Sequence, residues 1–371
     1  MEREINFPDL KILNKKLLQS ERELLDSISE LKLAQSHSVF RNKSLELISR
    51  GYPLFEVLNS IALEIEHQNP KLTAAIMVLD HSGNQLCVGA APSLPDFFVD
   101  AIQAINIAEG ESACAKAARD GKAVISRNML PELNGDNLKA IAERAGITST
   151  WAEPIKSADG TILGILSLYR RDLQSPEESD LRLIDQSTNL ISIATERNQA
   201  DRQIWRQANY DSLTRLPNRN LFHERLKQEI LSSQRNQQSM ALLFIDLDHF
   251  KEVNDSLGHI KGDDLLVQTA TRLSNCVRQI DTVARLGGDE FTIVMGELDS
   301  HESVERVAEK VISVLSEKFV LDRDSAQLSA SIGIAFYPDH GEDSDSLIRC
   351  ADRAMYIAKN RGRNRFCIYT G

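Results

Sequence analysis

Nothing in this 371-residue chain approaches the roughly 20 consecutive apolar residues that a membrane-spanning helix needs. The N-terminus, "MEREINFPDLK", is charged and lacks the apolar core of a secretory signal. Cysteine is sparse. Cys87, Cys114, Cys276, Cys350 and Cys367 are scattered, odd in number and without a C-x-x-C pair. That argues against a disulfide framework or a zinc site and fits a reducing compartment, so the expected setting is the cytoplasm. Basic charge is in short supply as well. Lys and Arg number 43 against 54 Asp and Glu, a formal net charge of −11. This argues against nonspecific nucleic-acid binding or attachment to an anionic membrane. A phosphorylated ligand stays possible, because a few local cations and a metal reverse the sign inside a pocket. What is present is an ordinary globular balance, 42% hydrophobic and 26% charged. The length suits two or three domains.

Residues 1–38 carry Leu10, Leu17, Leu24 and Leu31 at seven-residue intervals, with Leu18, Leu25 and Ile28 beside them. This seam predicts a helix. It is either half of a short coiled coil, and hence a homodimer, or an amphipathic helix lying on its own domain. Ser20 and Ser27 weaken the seam. Residues 39–198 read as a mixed α/β domain of common size. "AAIMVLD" and "GTILGILSLYR" are strands beside the turns "HSGNQ" and "SADG", and helices are predicted over 44–67, 112–120 and 137–145. A long helix, 177–208, starts near Pro176 and holds no internal Pro or Gly. Leu181, Ile184, Ile191, Ala194, Trp205 and Ala208 lie roughly on one face of it, and it reads as a stalk to the next domain.

Residues 209–371 alternate strongly. Helices are predicted over 221–235, 251–277, 303–317 and 344–360. Between them stand the strands "MALLFIDLD", "AQLSASIGIAFY" and "RFCIY", and a hairpin around "GGDE". The expected fold class is α/β (α+β), with a central mixed sheet covered by helices.

The chemistry concentrates in this last domain. In "FIDLDHFK", Asp246 and Asp248 interrupt an apolar strand near its end, and alternation places both on one face. A carboxylate there is costly unless it is paired or holds a metal. For Asp248 alone, capping the next helix is the simpler role. In "RLGGDEF", the glycines allow a tight turn and let a large ligand approach the backbone, with Asp289 projecting over it. Asp246 and Asp289 together suit Mg²⁺, a hard ion that pairs with carboxylates and nucleotide phosphates.

This block resembles the GGDEF family of diguanylate cyclases, which join two GTP molecules into cyclic di-GMP. The resemblance runs from about Asp211 to Tyr369 through "DSLTRLPNR", "FIDLDHFKEVNDSLGHIKGDDLL", "RLGGDEF", "SIGIA" and "ADRAMYIAKNRGRN". It implies a nucleotidyl-cyclase-like domain and a set of roles for matching residues. Asp246, Asp289 and the Leu247 carbonyl are implied metal ligands for Mg²⁺, with Mn²⁺ as a substitute. Asn254 and Asp263 are implied readers of the guanine edge, which suits an amide and a carboxylate. His259 lines the substrate site, Lys251 resembles the transition-state cation, and Lys359 and Arg363 resemble the grip on the terminal phosphates. Asp289 is the implied proton acceptor, with Glu290 beside it. Arg278 and Asp281, in "RQID", fall where many members carry an inhibitory site for the product. One domain holds one GTP, so a homodimer closes the ring.

Residues 39–198 resemble a GAF sensor domain. Trp151, Pro154, Gly160, Gly164, Tyr169 and Pro176 in "STWAEPIKSADGTILGILSLYRRDLQSPEESDLRLID" carry that likeness. Members bind varied small molecules, so the likeness implies regulation but no particular GAF ligand. His67 and His81 lack paired ligand spacing, and Cys87 and Cys114 read as structural before any chromophore role. Two other readings stand beside an active cyclase: a catalytically silent receptor for GTP or cyclic di-GMP, and a piece of a longer cyclase/phosphodiesterase. The intact "GGDEF" favours the enzyme.

Overall fold

The computed structural model describes residues 7–130, 136–173, 178–322 and 324–371. Pro176 and the side chains of Leu10 and Leu31 lie outside the described residues. The chain forms two compact units, Met1–Asp201 and Arg202–Gly371. Among the described residues no helix is long and apolar enough to cross a membrane.

The first unit runs α1 (Phe7–Ser49), α2 (Leu54–Gln68), β1 (Thr73–Leu79), β2 (Gln85–Ala90), α3 (Asp96–Ile102), β3 (Ala104–Asn106), α4 (Ala113–Asp120), β4 (Val124–Ser126), α5 (Asp136–Ala145), β5 (Ser149–Lys156), β6 (Ile162–Arg170) and the part of α6 (Glu178–Asn209) up to Asp201. Its six strands form one antiparallel sheet in the order β3-β2-β1-β6-β5-β4. One face packs Ala74, Ile76, Trp151, Ile155, Leu166 and Leu168 against α2, the end of α1 and α6. The other face, with Ala75, Met77, Ala152, Ile165 and Tyr169, lies under α3, α4 and α5.

Three expectations for this unit need correction. The first helix does not stop near residue 38. No Gly or Pro interrupts it between Pro8 and Gly51, and Phe40, Ser44 and Ile48 recur every fourth residue on its buried face. It ends where the Gly51 N–H bonds back to the Ile48 carbonyl and Pro53 starts α2. The helix predicted over 44–67 is therefore two helices with a turn between them. Along α6, Ile184, Ile191 and Ala194 are buried as expected, but Leu181 and Trp205 are exposed and Leu183 and Leu190 take the inner row. The seam residues Leu17, Leu18, Leu24, Leu25 and Ile28 are all exposed, so α1 does not lay that face on its own unit.

The second unit continues with α7 (Arg219–Asn236), β7 (Met240–Asp248), α8 (Phe250–Leu257), α9 (His259–Ser274), β8 (Thr282–Gly287), β9 (Glu290–Met295), α10 (His301–Ser316), β10 (Phe319–Leu321), β11 (Asp324–Ala326), β12 (Ser329–Tyr337), α11 (Ser344–Asn360) and β13 (Arg365–Ile368). The main sheet has the order β13-β12-β7-β9-β8. Only β12 and β13 pair in parallel, with α11 as the crossover, so the sheet is mixed as expected. The helix predicted over 251–277 divides at Gly258 into α8 and α9.

β7 sits at the centre and is covered on both faces, which is why it reads as an unbroken apolar run. Ala241, Leu243, Ile245 and Leu247 join one cluster with residues of α8, α9 and α10. Met240, Leu242 and Phe244 join a second with α7 and α11. Each such Leu or Ile stabilises the unit by about 1.5–3 kcal/mol on burial. The even positions then change from Phe244 to Asp246 and Asp248, as the strand leaves the core for the edge of the sheet.

Candidate active site

Two carboxylates and two cations meet at that edge. Asp246 is 13% exposed, and the Lys359 ammonium lies 2.7 Å from its Oδ2. Burial pushes the Asp246 carboxyl up from its usual range, the Lys359 hydrogen bond pulls it back, and the charges of Asp289 and Asp248 push it up again. The result is a half-buried acid in want of more positive charge than Lys359 supplies.

Asp289 reaches this place through the β8–β9 turn. The register closes at Gly287 opposite Glu290, which leaves Gly288 and Asp289 as the two turn residues. Gly287 and Gly288 have φ of +144° and +55°, conformations in which a side chain is strained. Asp246 pairs with Glu290 across β7 and β9, and the Leu247 N–H donates to the Asp289 carbonyl at 3.3 Å. The turn is thereby pinned beside the aspartate strand. Glu290 lies 3.6 Å from Arg219.

A second tie was not assigned from the sequence. The Arg285 guanidinium donates twice to the Gly288 carbonyl, at 3.0 and 2.8 Å, and once to Asp211 Oδ1 at 2.9 Å. Asp211 Oδ1 also accepts from the Thr214 N–H at 2.8 Å and hydroxyl at 2.7 Å. Burial pushes the Asp211 carboxyl up, but the Thr214 donors and Arg285 outweigh it and hold it below the usual range. The "DSLT" spacing is a local signal for such a turn. The partner 74 residues away is not.

Asp248 does not cap α8, whose N-cap is His249 in the left-handed region. It is buried and accepts from the hydroxyls of Ser329 at 2.6 Å and Ser331 at 2.7 Å, and from the Asn364 N–H at 3.1 Å. It joins β7 to β12 and to the turn ahead of β13. Arg363, half exposed, lies 3.9 Å from it.

The other expected residues fall in two places. Lys251 is exposed in the first turn of α8, and His259 is exposed at the start of α9. Asn254 packs so closely on Gly262, the residue before Asp263, that a Cβ there would stand 1.8 Å from its Oδ1. Arg278 and Asp281 lie before β8, at the opposite end of that strand from the turn, about 20 Å away at about 3.3 Å per residue. Asp281 Oδ2 accepts from the Arg278 N–H at 2.9 Å, and the Arg278 guanidinium lies 3.8 Å from Asp299.

Among the described residues no three His, Cys, Asp or Glu side chains converge as a metal cage. Asp246 and Asp289 with a main-chain carbonyl nevertheless fit Mg²⁺, which is commonly held by one or two carboxylates and completes its shell with water and substrate phosphates. The raised Asp246 carboxyl is the observation in favour, since an added cation relieves it.

Acids and cations thus gather at one edge of a mixed sheet, a usual place for a ligand site in open α/β domains. Residues 208–365 match the family model described as diguanylate cyclase, GGDEF domain, and residues 54–196 match the GAF domain model. The chain therefore carries a GGDEF domain, with a GAF domain ahead of it. It is 44% identical over 177 residues to the bifunctional diguanylate cyclase/cyclic di-GMP phosphodiesterase MucR of Pseudomonas aeruginosa, covering 48% of this chain and 26% of that protein. It is 44% identical over 158 residues to the diguanylate cyclase TpbB of Pseudomonas aeruginosa, covering 42% of this chain and 36% of that protein. The solved GGDEF domain of TpbB is 41% identical, with 43% of this chain and 94% of that one covered and a TM-score of 0.43. The chain thus spans well under half the length of these two full-length relatives.

Proposed function

We propose that the second unit is a diguanylate cyclase that condenses two GTP into cyclic di-GMP and two pyrophosphates. The observation that carries this reading is the pinning of the Asp289 turn to β7 beside Asp246, through the Leu247 N–H. The 3′-hydroxyl of one GTP attacks the α-phosphate of the other, a new P–O bond forms, and pyrophosphate leaves. Asp289 takes the hydroxyl proton, with Glu290 as the neighbouring carboxylate. Asn254 and Asp263 read guanine, which presents an acceptor and two donors along one edge. His259 lines the base site. Lys251 offsets charge developing in the transition state. Lys359 and Arg363 hold the terminal phosphates, Lys359 by exchanging its contact with Asp246 for a phosphate oxygen. Mg²⁺ held by Asp246, Asp289 and the Leu247 carbonyl would polarise the α-phosphate and lower the pKa of the attacking hydroxyl.

Because one GGDEF domain holds one GTP, the active form is a homodimer. The exposed leucines of α1 support this. The GAF domain regulates the activity in the cytoplasm, and cyclic di-GMP inhibits it at Arg278 and Asp281.

The test is incubation with GTP and Mg²⁺ followed by separation of products. Cyclic di-GMP made by the wild type and not by Asp289→Ala supports the enzyme. Tight GTP binding without product refutes it and leaves a nucleotide receptor. For the inhibitory site, Arg278→Ala should relieve inhibition by added cyclic di-GMP, and unchanged inhibition would reject the assignment.

A further inference from the structure

The longest run of left-handed backbone among the described residues is Gly362, Arg363 and Asn364, with φ of +105°, +58° and +48°. A helix end explains the first of them. At the close of α11 the Gly362 N–H donates to the Lys359 carbonyl at 3.3 Å and the Arg363 N–H to the Ala358 carbonyl at 3.1 Å, the paired bonds of a glycine-ended helix. That ending needs one left-handed residue, and glycine takes the position without steric penalty. Arg363 and Asn364 are left-handed beyond its needs. A side chain makes that conformation unfavourable, less so for Asn than for most residues. Strain of this kind persists only where the surroundings enforce it, and it gathers where a fixed geometry serves a site.

Two contacts enforce it here. The Asn364 N–H donates to Asp248 Oδ2 at 3.1 Å, and the Ser316 hydroxyl, at the end of α10, donates to Asn364 Oδ1 at 3.1 Å. Asp248 is buried and is itself held by the hydroxyls of Ser329 and Ser331, so this anchor is fixed in the sheet. The turn is thus tied to β7 on one side and to α10 on the other. It carries two cations. The Lys359 ammonium lies 2.7 Å from Asp246, and Arg363 lies 3.9 Å from Asp248. Each of the two acids of β7 therefore faces one cation from the same turn. The peptide whose N–H Asp248 holds is the one that follows the Arg363 Cα, so fixing that peptide fixes the base of the Arg363 side chain.

We infer that Asn364 is a positioning residue for the phosphate grip: its left-handed backbone, anchored by Asp248 and Ser316, sets where Arg363 leaves the turn and so where the guanidinium meets the terminal phosphates of GTP. The inference rests on the reading of Lys359 and Arg363 as that grip. Its physical basis is preorganisation. Arg363 is half exposed, and an arginine on a free turn would give up both backbone and rotamer freedom on binding. On a turn that is already ordered, only the side chain remains to be ordered. Asn suits the position because it tolerates φ near +50° and offers an oxygen to Ser316. The expected guanine readers, Asn254 and Asp263, stand on α8 and α9, away from this turn in the chain. The contribution of Asn364 therefore falls on the phosphates and not on the base.

The experiment is calorimetric titration of the full chain, with Mg²⁺ present, using 3′-deoxy-GTP, which lacks the attacking hydroxyl, and GMP. The wild type should bind the triphosphate at least about tenfold more tightly than GMP. Asn364→Ala should cut that preference about tenfold, with GMP affinity kept within about twofold. Asn364→Gly keeps the left-handed backbone and the N–H to Asp248, and should hold the preference within about twofold of wild type. Arg363→Ala should remove the preference, and Arg363→Ala/Asn364→Ala should lose no more than Arg363→Ala alone, because Asn364 acts through Arg363. The inference is overturned if Asn364→Ala keeps the full preference, if it loses GMP binding to the same extent, if Asn364→Gly is equally impaired, or if the two losses add. A wild type that binds GMP as tightly as the triphosphate refutes the phosphate grip itself and the inference with it. A wild type that discriminates beside an Asn364→Ala chain that does so equally overturns the inference alone.

Discussion

Replacing Arg285 with Ala removes a side chain that ties the β8–β9 turn to Asp211, ahead of α7. Three hydrogen bonds are lost: two from the guanidinium to the Gly288 carbonyl and one to Asp211. Arg285 and Asp211 are 10% and 21% exposed, so the pair is largely buried. Breaking a buried pair by removing one partner costs roughly 3–5 kcal/mol. Asp211 keeps the two Thr214 donors and some solvent, so the expected loss for the second unit is about 2–4 kcal/mol. The measurement is urea unfolding of wild type, Arg285→Ala, Asp211→Ala and the double variant, with exchange of the β8 and β9 amides as the local readout. The cycle should show a coupling of about 1–3 kcal/mol between the two sites. Acid adds a second check. A carboxyl held below its usual range contributes stability above that range and loses it as pH falls through the lowered value. Arg285→Ala should therefore flatten the acid limb of the stability curve. Turnover should fall at least tenfold with a smaller change in KM, since the turn loses position rather than contact with the base. Additive single variants, or an Arg285→Ala chain within about 0.5 kcal/mol of wild type, would refute the tie as a structural device.

Asp248→Ala leaves Ser329, Ser331 and the Asn364 N–H without their acceptor and should destabilise the second unit by about 3–5 kcal/mol, read from the urea midpoint; a loss under about 1 kcal/mol would contradict the role given to it. Asp246 has the opposite pH sign to Asp211. Its carboxyl is raised, so without metal it favours the folded state below the ordinary carboxylate range and that contribution is lost as pH rises through the raised value. Asp246→Asn should remove this dependence from a metal-free pH titration of stability, and Mg²⁺ should oppose it in the wild type. Gly262→Ala places a Cβ 1.8 Å from Asn254 Oδ1, so the amide must move. Its KM for GTP should rise at least tenfold with kcat at saturation changed far less, and an unchanged KM would count against Asn254 as a base reader.

Much of the second unit was legible in advance because its signals are local. The helix at Ser344–Asn360 begins at the residue that the pattern named, and the Asp343 capping box explains why. The "GGDE" turn needed only two glycines between apolar strands. The first unit was harder. Its sheet has six strands, of which the pattern marked two; of the four missed, β3 and β4 are three residues long and carry too little periodicity to register. Asp248 was misread for a related reason. An Asp ahead of a helix is a good local cap candidate, and nothing nearby in the chain announces the serines on β12 that claim it.

The chain's own pattern determined the strand that ends in acids, the glycine turn and the composition of both domains, since periodicity and turn chemistry are properties of neighbouring residues. Tertiary structure alone decided the partners: Arg285 with Asp211 across 74 positions, Ser331 with Asp248 across 83, and Asn364 with Asp248 across 116. Those choices depend on sheet register, where a shift of one residue turns every side chain to the other face.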